Sequence, residues 1–184
     1  MLPPTVQPWK QAPAAALRGV AGVFTDIDDT LTREGRIEPA GLAALQTLHR
    51  TGIPVIAITG RPPGWSLPFA QAWPVAAIVA ENGAVAMFRE GPQLRTEYAQ
   101  DQATRTRNAE RLRAVAATVL REVPGATLAT DSPGRVTDIA IDHSEFARLD
   151  KAQIAQVVAV MQREGMNATV SSIHVNGWFG AHTK

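Results

Sequence analysis

Three short apolar runs, at residues 20–24, 53–58 and 75–80, each close on polar residues, and each has the length and continuity of a strand buried on both faces. Between the first two, Pro39 suits a first helical position, Leu42, Leu45 and Leu48 share one face, and Gly52 supplies a stop. A proline-rich segment at 61–65 and a short helix over 67–72 lead to the third run. Strands alternating with helices predict a parallel sheet with right-handed crossovers, half of which occupies residues 1–82.

From Ala84 the pattern changes to shorter strands and two long helices, which predicts a second packing unit over residues 83–176. Runs at 85–89 and 94–98 flank Gly91-Pro92 as a hairpin. A helix over 102–123 places Leu112, Val115, Ala116, Val119 and Val123 on one face and ends at Pro124-Gly125. Residues 135–142 alternate as a half-buried strand. Asp150 and Gln153 have capping-box spacing, and Ile154, Val157, Val158 and Met161 point one way before Gly165. A last strand over 168–176 puts Ser172, His174 and Asn176 on one face, a polar stripe suited to a sugar hydroxyl or a carboxylate. Residues 177–184 return to the first unit.

Composition narrows the function classes. A net charge of +1 gives no broad electrostatic reason for a nucleic-acid or anionic-membrane partner, and the arginines at 105, 107, 111 and 113 read as a solvated helix face. Without cysteine there is no thiolate nucleophile and no zinc-thiolate site. No run spans a bilayer, and the amino-terminal stretch does not read as a signal peptide, so a cytoplasmic protein is expected.

The candidate chemistry lies where the first strand ends. Asp26 and Asp28, one residue apart, enter the crevice at the carboxyl ends of the strands, where open α/β sheets bind ligands. Clustered carboxylates suit a divalent cation and a phosphate. Asp26 has oxygens for both nucleophilic attack and metal binding, and Asp28 can face the leaving oxygen. Thr59, ending the next strand, can hold a phosphoryl oxygen, and Mg2+ suits such oxygen ligands. Gly60 and Arg61 after it fit a phosphate loop.

These residues, in this order, resemble the haloacid dehalogenase-like phosphatases, and particularly their type IIB cap group. Asp26-Ile27-Asp28-Asp29-Thr30 is similar to the family's first motif, and Thr59 to its second. Glu81-Asn82-Gly83 resembles the hinge at which the cap is inserted, and Lys184 stands at the lysine of the third motif. The resemblance implies a Rossmann-like core with an inserted α/β cap. It further implies an aspartyl-phosphate on Asp26, Asp28 as acid and then base, and Thr59 and Lys184 stabilising phosphoryl charge. Thr30, Gly60, Arg61, Asn82, Ser172, His174 and Asn176 complete the expected substrate site, with Asp26 and Asp28 as Mg2+ ligands.

The family's fourth motif is expected after the lysine, where this sequence ends, so the chain reads as a piece of a longer enzyme. On that reading the first strand becomes an exposed sheet edge, and a homodimer through it is expected. The implied activity is Mg2+-dependent hydrolysis of a small phosphorylated sugar or glycosyl-phosphoglycerate. A sugar-phosphate binding module that does not turn over is the alternative.

Overall fold

The protein's computed structural model describes residues 11–13, 15 and 18–184, so most of the amino-terminal stretch weighed as a signal peptide lies outside the described residues. Two sheets with helices packed on them make up the described chain. The first is built from β1 (Val23–Asp26), β4 (Val55–Ile58), β5 (Ala77–Ala80), β6 (Val85–Glu90) and β7 (Gln93–Tyr98), in the order β1-β4-β5-β6-β7. β1, β4 and β5 run parallel, as the three apolar runs predict. Their crossovers carry α1 (Pro39–Arg50) and α2 (Pro63–Ala72), and Pro39 opens α1 at the expected position. A small ribbon of β2 (Thr32–Arg33) and β3 (Arg36–Ile37) precedes α1. Ile27, Leu45, Val55, Ala57, Ile78 and Met87 are buried together between sheet and helices.

The hairpin of β6 and β7 corrects the expected division at residue 83. It pairs with β5 in antiparallel fashion, Ala80 opposite Val85, and so extends the first sheet rather than the second. The cause is the turn Glu81–Gly83, which reverses the chain within three residues and lays β6 back along β5. Such tight reversal requires left-handed backbone, with φ of 45° at Glu81, 54° at Asn82 and 106° at Gly83.

The second sheet comprises β8 (Thr127–Leu128), β9 (Asp138–Asp142), β10 (Asn167–Val170) and β11 (His174–Trp178), antiparallel in the order β10-β11-β9-β8. On it lie α3 (Gln102–Glu122) and α4 (Lys151–Arg163), burying Leu112, Val115, Val119, Val157 and Met161 against Ile141 and Val175. The expected capping box of Asp150 and Gln153 closes the start of α4. Helix α3 stops one residue early because Val123 precedes Pro124, whose ring disfavours helical backbone before it; Val123 is extended, at φ −114° and ψ 99°. Residues 135–137 are not strand, because a 3-10 turn over Ser132–Gly134 delays β9 until Asp138.

The strand expected over 168–176 is two strands. Ser171 exchanges hydrogen bonds with His174, its backbone N–H donating to the His174 carbonyl at 2.8 Å and its Oγ accepting from the His174 N–H at 3.0 Å. These bonds close a hairpin turn at 171–173. Ser172 therefore sits in a turn, and only His174 and Asn176 keep the alternation of β11. Two of the four arginines on α3 are not merely solvated: Arg105 stacks over Tyr98 and Arg111 over Phe179, 3.6 and 3.7 Å from the ring centroids. Among the described residues no helix is long and apolar enough to cross a membrane.

Candidate active site

The register of the first sheet sets Asp26 opposite Ile58 and Ile58 opposite Val79, so the carboxyl ends of β1, β4 and β5 share one edge. Asp26 is the last residue of β1. Immediately after it the Ile27 carbonyl accepts from the N–H groups of Thr30, Leu31 and Thr32 and from the Thr32 hydroxyl, at 3.0–3.2 Å. This knot folds the chain tightly at the strand end and presents Asp28 to the neighbouring strand.

There the fully buried Thr59 donates its hydroxyl to Asp28 Oδ2 at 3.2 Å and accepts from the Arg61 N–H at 3.0 Å. The Glu81 and Asn82 N–H groups donate to the Arg61 and Thr59 carbonyls, at 3.0 and 3.1 Å, tying the turn after β5 to the turn after β4. Lys184 arrives from the other end of the chain and places Nζ 2.6 Å from Asp26 Oδ1. Gly83 makes room for that return: a Cβ there would stand 2.7 Å from the Thr183 carbonyl oxygen.

Asp26, Asp28, Thr30, Gly60, Arg61, Asn82, Ser172, His174, Asn176 and Lys184 all line one cavity of about 400 Å³. Thr59 stands behind it through Asp28. The candidate site residues are therefore brought to one place, although the polar stripe arrives as one turn residue and two strand residues. Ser172 Oγ donates to Asp29 Oδ2 at 3.4 Å, so the 171–173 turn reaches the first unit directly. Asn176 donates to Asp138 Oδ2 at 3.3 Å and to the Gly60 carbonyl at 3.5 Å.

Sequence reasoning missed the charged network that seats the second unit on the first. Arg135, nearly fully buried, donates to both Asp138 oxygens at 2.8 and 2.9 Å, to Asp131, and to the Gly60 carbonyl at 3.0 Å. Arg61 is shared among Asp28, Asp131 and Glu145 at 3.4, 3.4 and 3.5 Å, one acid from the first unit and two from the second. Glu145 also meets His174 Nε2 at 3.0 Å. Burial pushes the His174 imidazole below its ordinary value, with the Asp131 charge acting the other way. The only local signal was the spacing of Asp131, Arg135 and Asp138, which equally describes a solvated loop.

Glu81 completes the seat. Its carboxylate accepts from the backbone N–H groups of Val136 and Thr137, each at 2.7 Å, and from the Thr137 hydroxyl. Burial first, and then the Asp138 charge, raise its pKa from 4.5 to about 7, while the hydrogen bonds from residues 136–137 oppose the rise. Between those values the unfolded chain has released the proton and the folded chain keeps it. Stability is therefore expected to fall as pH rises from 4.5 to 7, at no more than about 1.4 kcal/mol per unit, and to level off above. Urea unfolding across that window should give a shallower decline for Glu81→Gln; equal slopes would contradict this assignment.

Asp26 and Asp28 are oxygen donors of the kind Mg2+ takes, and among the described residues Asp26 engages a side chain only through Oδ1. The described residues contain no cluster of three His, Cys, Asp or Glu groups with metal-site geometry. Two carboxylates suit a cation that keeps waters and shares its remaining positions with phosphate oxygens.

Residues 23–110 match the profile of the haloacid dehalogenase-like hydrolases, which bears out the resemblance carried by the motifs. Solved structures agree on the fold. A Thermoplasma acidophilum protein superposes with a TM-score of 0.67 at 11% identity, covering 89% of this chain and 66% of its own. The C-terminal domain of Candida albicans trehalose-6-phosphate phosphatase gives 0.60 at 12%, covering 85% and 56%. A subclass IIB sugar phosphatase of the same superfamily gives 0.57 at 15%, covering 88% and 71%. The chain thus spans less than two thirds of the length of the first two. No curated protein sequence matches it.

Proposed function

We propose that the protein is a phosphatase that hydrolyses a small phosphorylated sugar or glycosyl-phosphoglycerate with Mg2+, through a phosphate ester on Asp26. The observation that carries this reading is the convergence of Asp26, Asp28 and Lys184 on a single cavity roofed by residues 169–176. Asp26 and Asp28 would hold Mg2+, which neutralises charge on the transferring group.

An Asp26 oxygen attacks phosphorus as the bond to the leaving oxygen breaks, and Asp28 gives that oxygen its proton. Asp28 then takes a proton from a water molecule, which attacks the same phosphorus, releasing inorganic phosphate and restoring Asp26. Thr59 orients Asp28 through its hydroxyl, and Lys184 offsets charge on the phosphoryl oxygens. The second unit roofs the cavity and limits access to small esters.

Turnover of p-nitrophenyl phosphate with Mg2+ tests the reading; binding of sugar phosphates without any turnover would favour a binding module instead. Asp28→Asn should slow hydrolysis of a sugar phosphate by about 10²–10⁴-fold and that of p-nitrophenyl phosphate much less, because p-nitrophenolate leaves without a proton. Equal losses on the two substrates would remove Asp28 from the acid role.

A further inference from the structure

The cavity that holds Asp26 and Lys184 adjoins a second one of about 550 Å³. The two share Asp28, Asp29, Arg61, Ser172 and Ile173, and the Ser172 to Asp29 hydrogen bond stands at the divide. Both volumes fall in the range of small-molecule sites. On the proposed reading the phosphoryl chemistry occupies the first chamber, and the second, entered past Arg61, is open to the ester oxygen's substituent.

We infer that the second chamber receives the leaving group and selects uncharged polyhydroxy groups over those bearing a carboxylate or a second phosphate, with Glu145 as the specificity-determining residue. This rests on the phosphate-monoester reading of the site and goes beyond it, since it decides for neutral sugars against glycosyl-phosphoglycerates.

The charge of the lining carries the inference. With Asp28 given to the metal and the leaving oxygen, Asp29, Glu34, Asp131 and Glu145 contribute four carboxylates against the guanidinium of Arg61, the one cation among the described lining residues. That guanidinium is already divided among Asp28, Asp131 and Glu145. Arg135 offsets Asp131 from the buried side, and Lys184 lies in the other chamber. A second anion entering here meets carboxylates with no uncommitted cation among the described lining residues, an arrangement that rejects like charge.

Hydroxyl groups have the opposite fate, since carboxylate oxygens are acceptors for their protons. Glu145 is suited to that task because His174 holds its Oε2 at 3.0 Å while its side chain stays about a quarter exposed. Trp65 lines the same chamber and holds the Arg61 guanidinium over its ring, 5.3 Å from the centroid, which fixes that cation among its acids.

The test is calorimetric binding of sorbitol 6-phosphate and 6-phosphogluconate with Mg2+ to the full chain carrying Asp26→Asn, which leaves both ligands unconsumed; the two differ in one terminal CH2OH or carboxylate. The neutral ligand is expected to bind on the order of 30-fold more tightly at low salt, the size of one like-charge repulsion across about 8 Å at an effective dielectric of about 20, and the ratio should shrink at high salt. Added to that chain, Glu145→Gln should reduce the ratio several-fold, chiefly by tightening the acid. Equal affinities, tighter binding of the acid, no binding of either, or an unchanged ratio in Glu145→Gln would each overturn the inference. Turnover of p-nitrophenyl phosphate by the native chain is measured alongside. A preserved ratio without turnover upholds the charge selection and sinks the hydrolase reading; turnover without a ratio sinks the charge selection alone.

Discussion

Asp26→Asn is expected to lower turnover by at least about 10⁴-fold and to abolish any covalent phosphoprotein, because an amide of the same shape has no oxygen able to attack phosphorus. The side chain ends β1 at the sheet edge where β4 and β5 also end, and its Oδ1 is held by Lys184 at 2.6 Å. The substitution keeps the volume and removes the charge that the lysine faces. Acid quenching after mixing with 32P-labelled substrate should trap label on the native protein and none on the variant. Label retained on Asp26→Asn at the native level would show that another group is esterified, and the mechanism above would be wrong.

Arg135→Ala is expected to cost about 3–5 kcal/mol of stability, because it strands the Asp138 carboxylate in the interior without its cation. Arg135 and Asp138 are 2% and 0% exposed, and Arg135 also serves Asp131 and the Gly60 carbonyl. The loss is therefore felt twice, in the seat of the second unit and at the backbone beside Thr59. Denaturant unfolding measures the first effect. The double variant Arg135→Met with Asp138→Leu should recover much of the loss, since neither charge is then left alone. A single variant that unfolds at the native midpoint would mean that water reaches Asp138 and the network is not a buried one.

The parallel core was legible because each of its strands is a local object: an apolar run that ends on the residues it presents. Asp26, Asp28 and Thr59 were readable for the same reason, since strand-end chemistry lies next to the strand in sequence. The hairpin of β6 and β7 showed its own pairing but not its partner, which depends on left-handed backbone at Glu81 and Asn82 that no hydrophobic period reveals. The break between β10 and β11 was hidden because Ser171 and Ser172 continue a polar alternation while closing a turn. Arg135 and Asp138 were illegible for a different reason. Their meaning comes from Gly60 and Asn82, 75 and 56 positions away, and pairs at that separation leave no trace in a single sequence. Arg61 lay between these cases: its place beside Thr59 was visible, and its acids from the second unit were not.

The 171–173 turn extends the second unit to Asp29 with three residues, clear of the ladders that join β10 to β11 and β11 to β9. The side chains of Ser172 and Ile173 can be rewritten without touching those strand partners, while the backbone stays tied to the residues after β9, the Ile173 carbonyl accepting from the His143 N–H at 3.0 Å and the Ser172 carbonyl from the Ser144 hydroxyl at 2.7 Å. What this scaffold accepts can thus drift while how it assembles stays put, and diversification would be expected to collect at that tip sooner than anywhere along the strands that bear it.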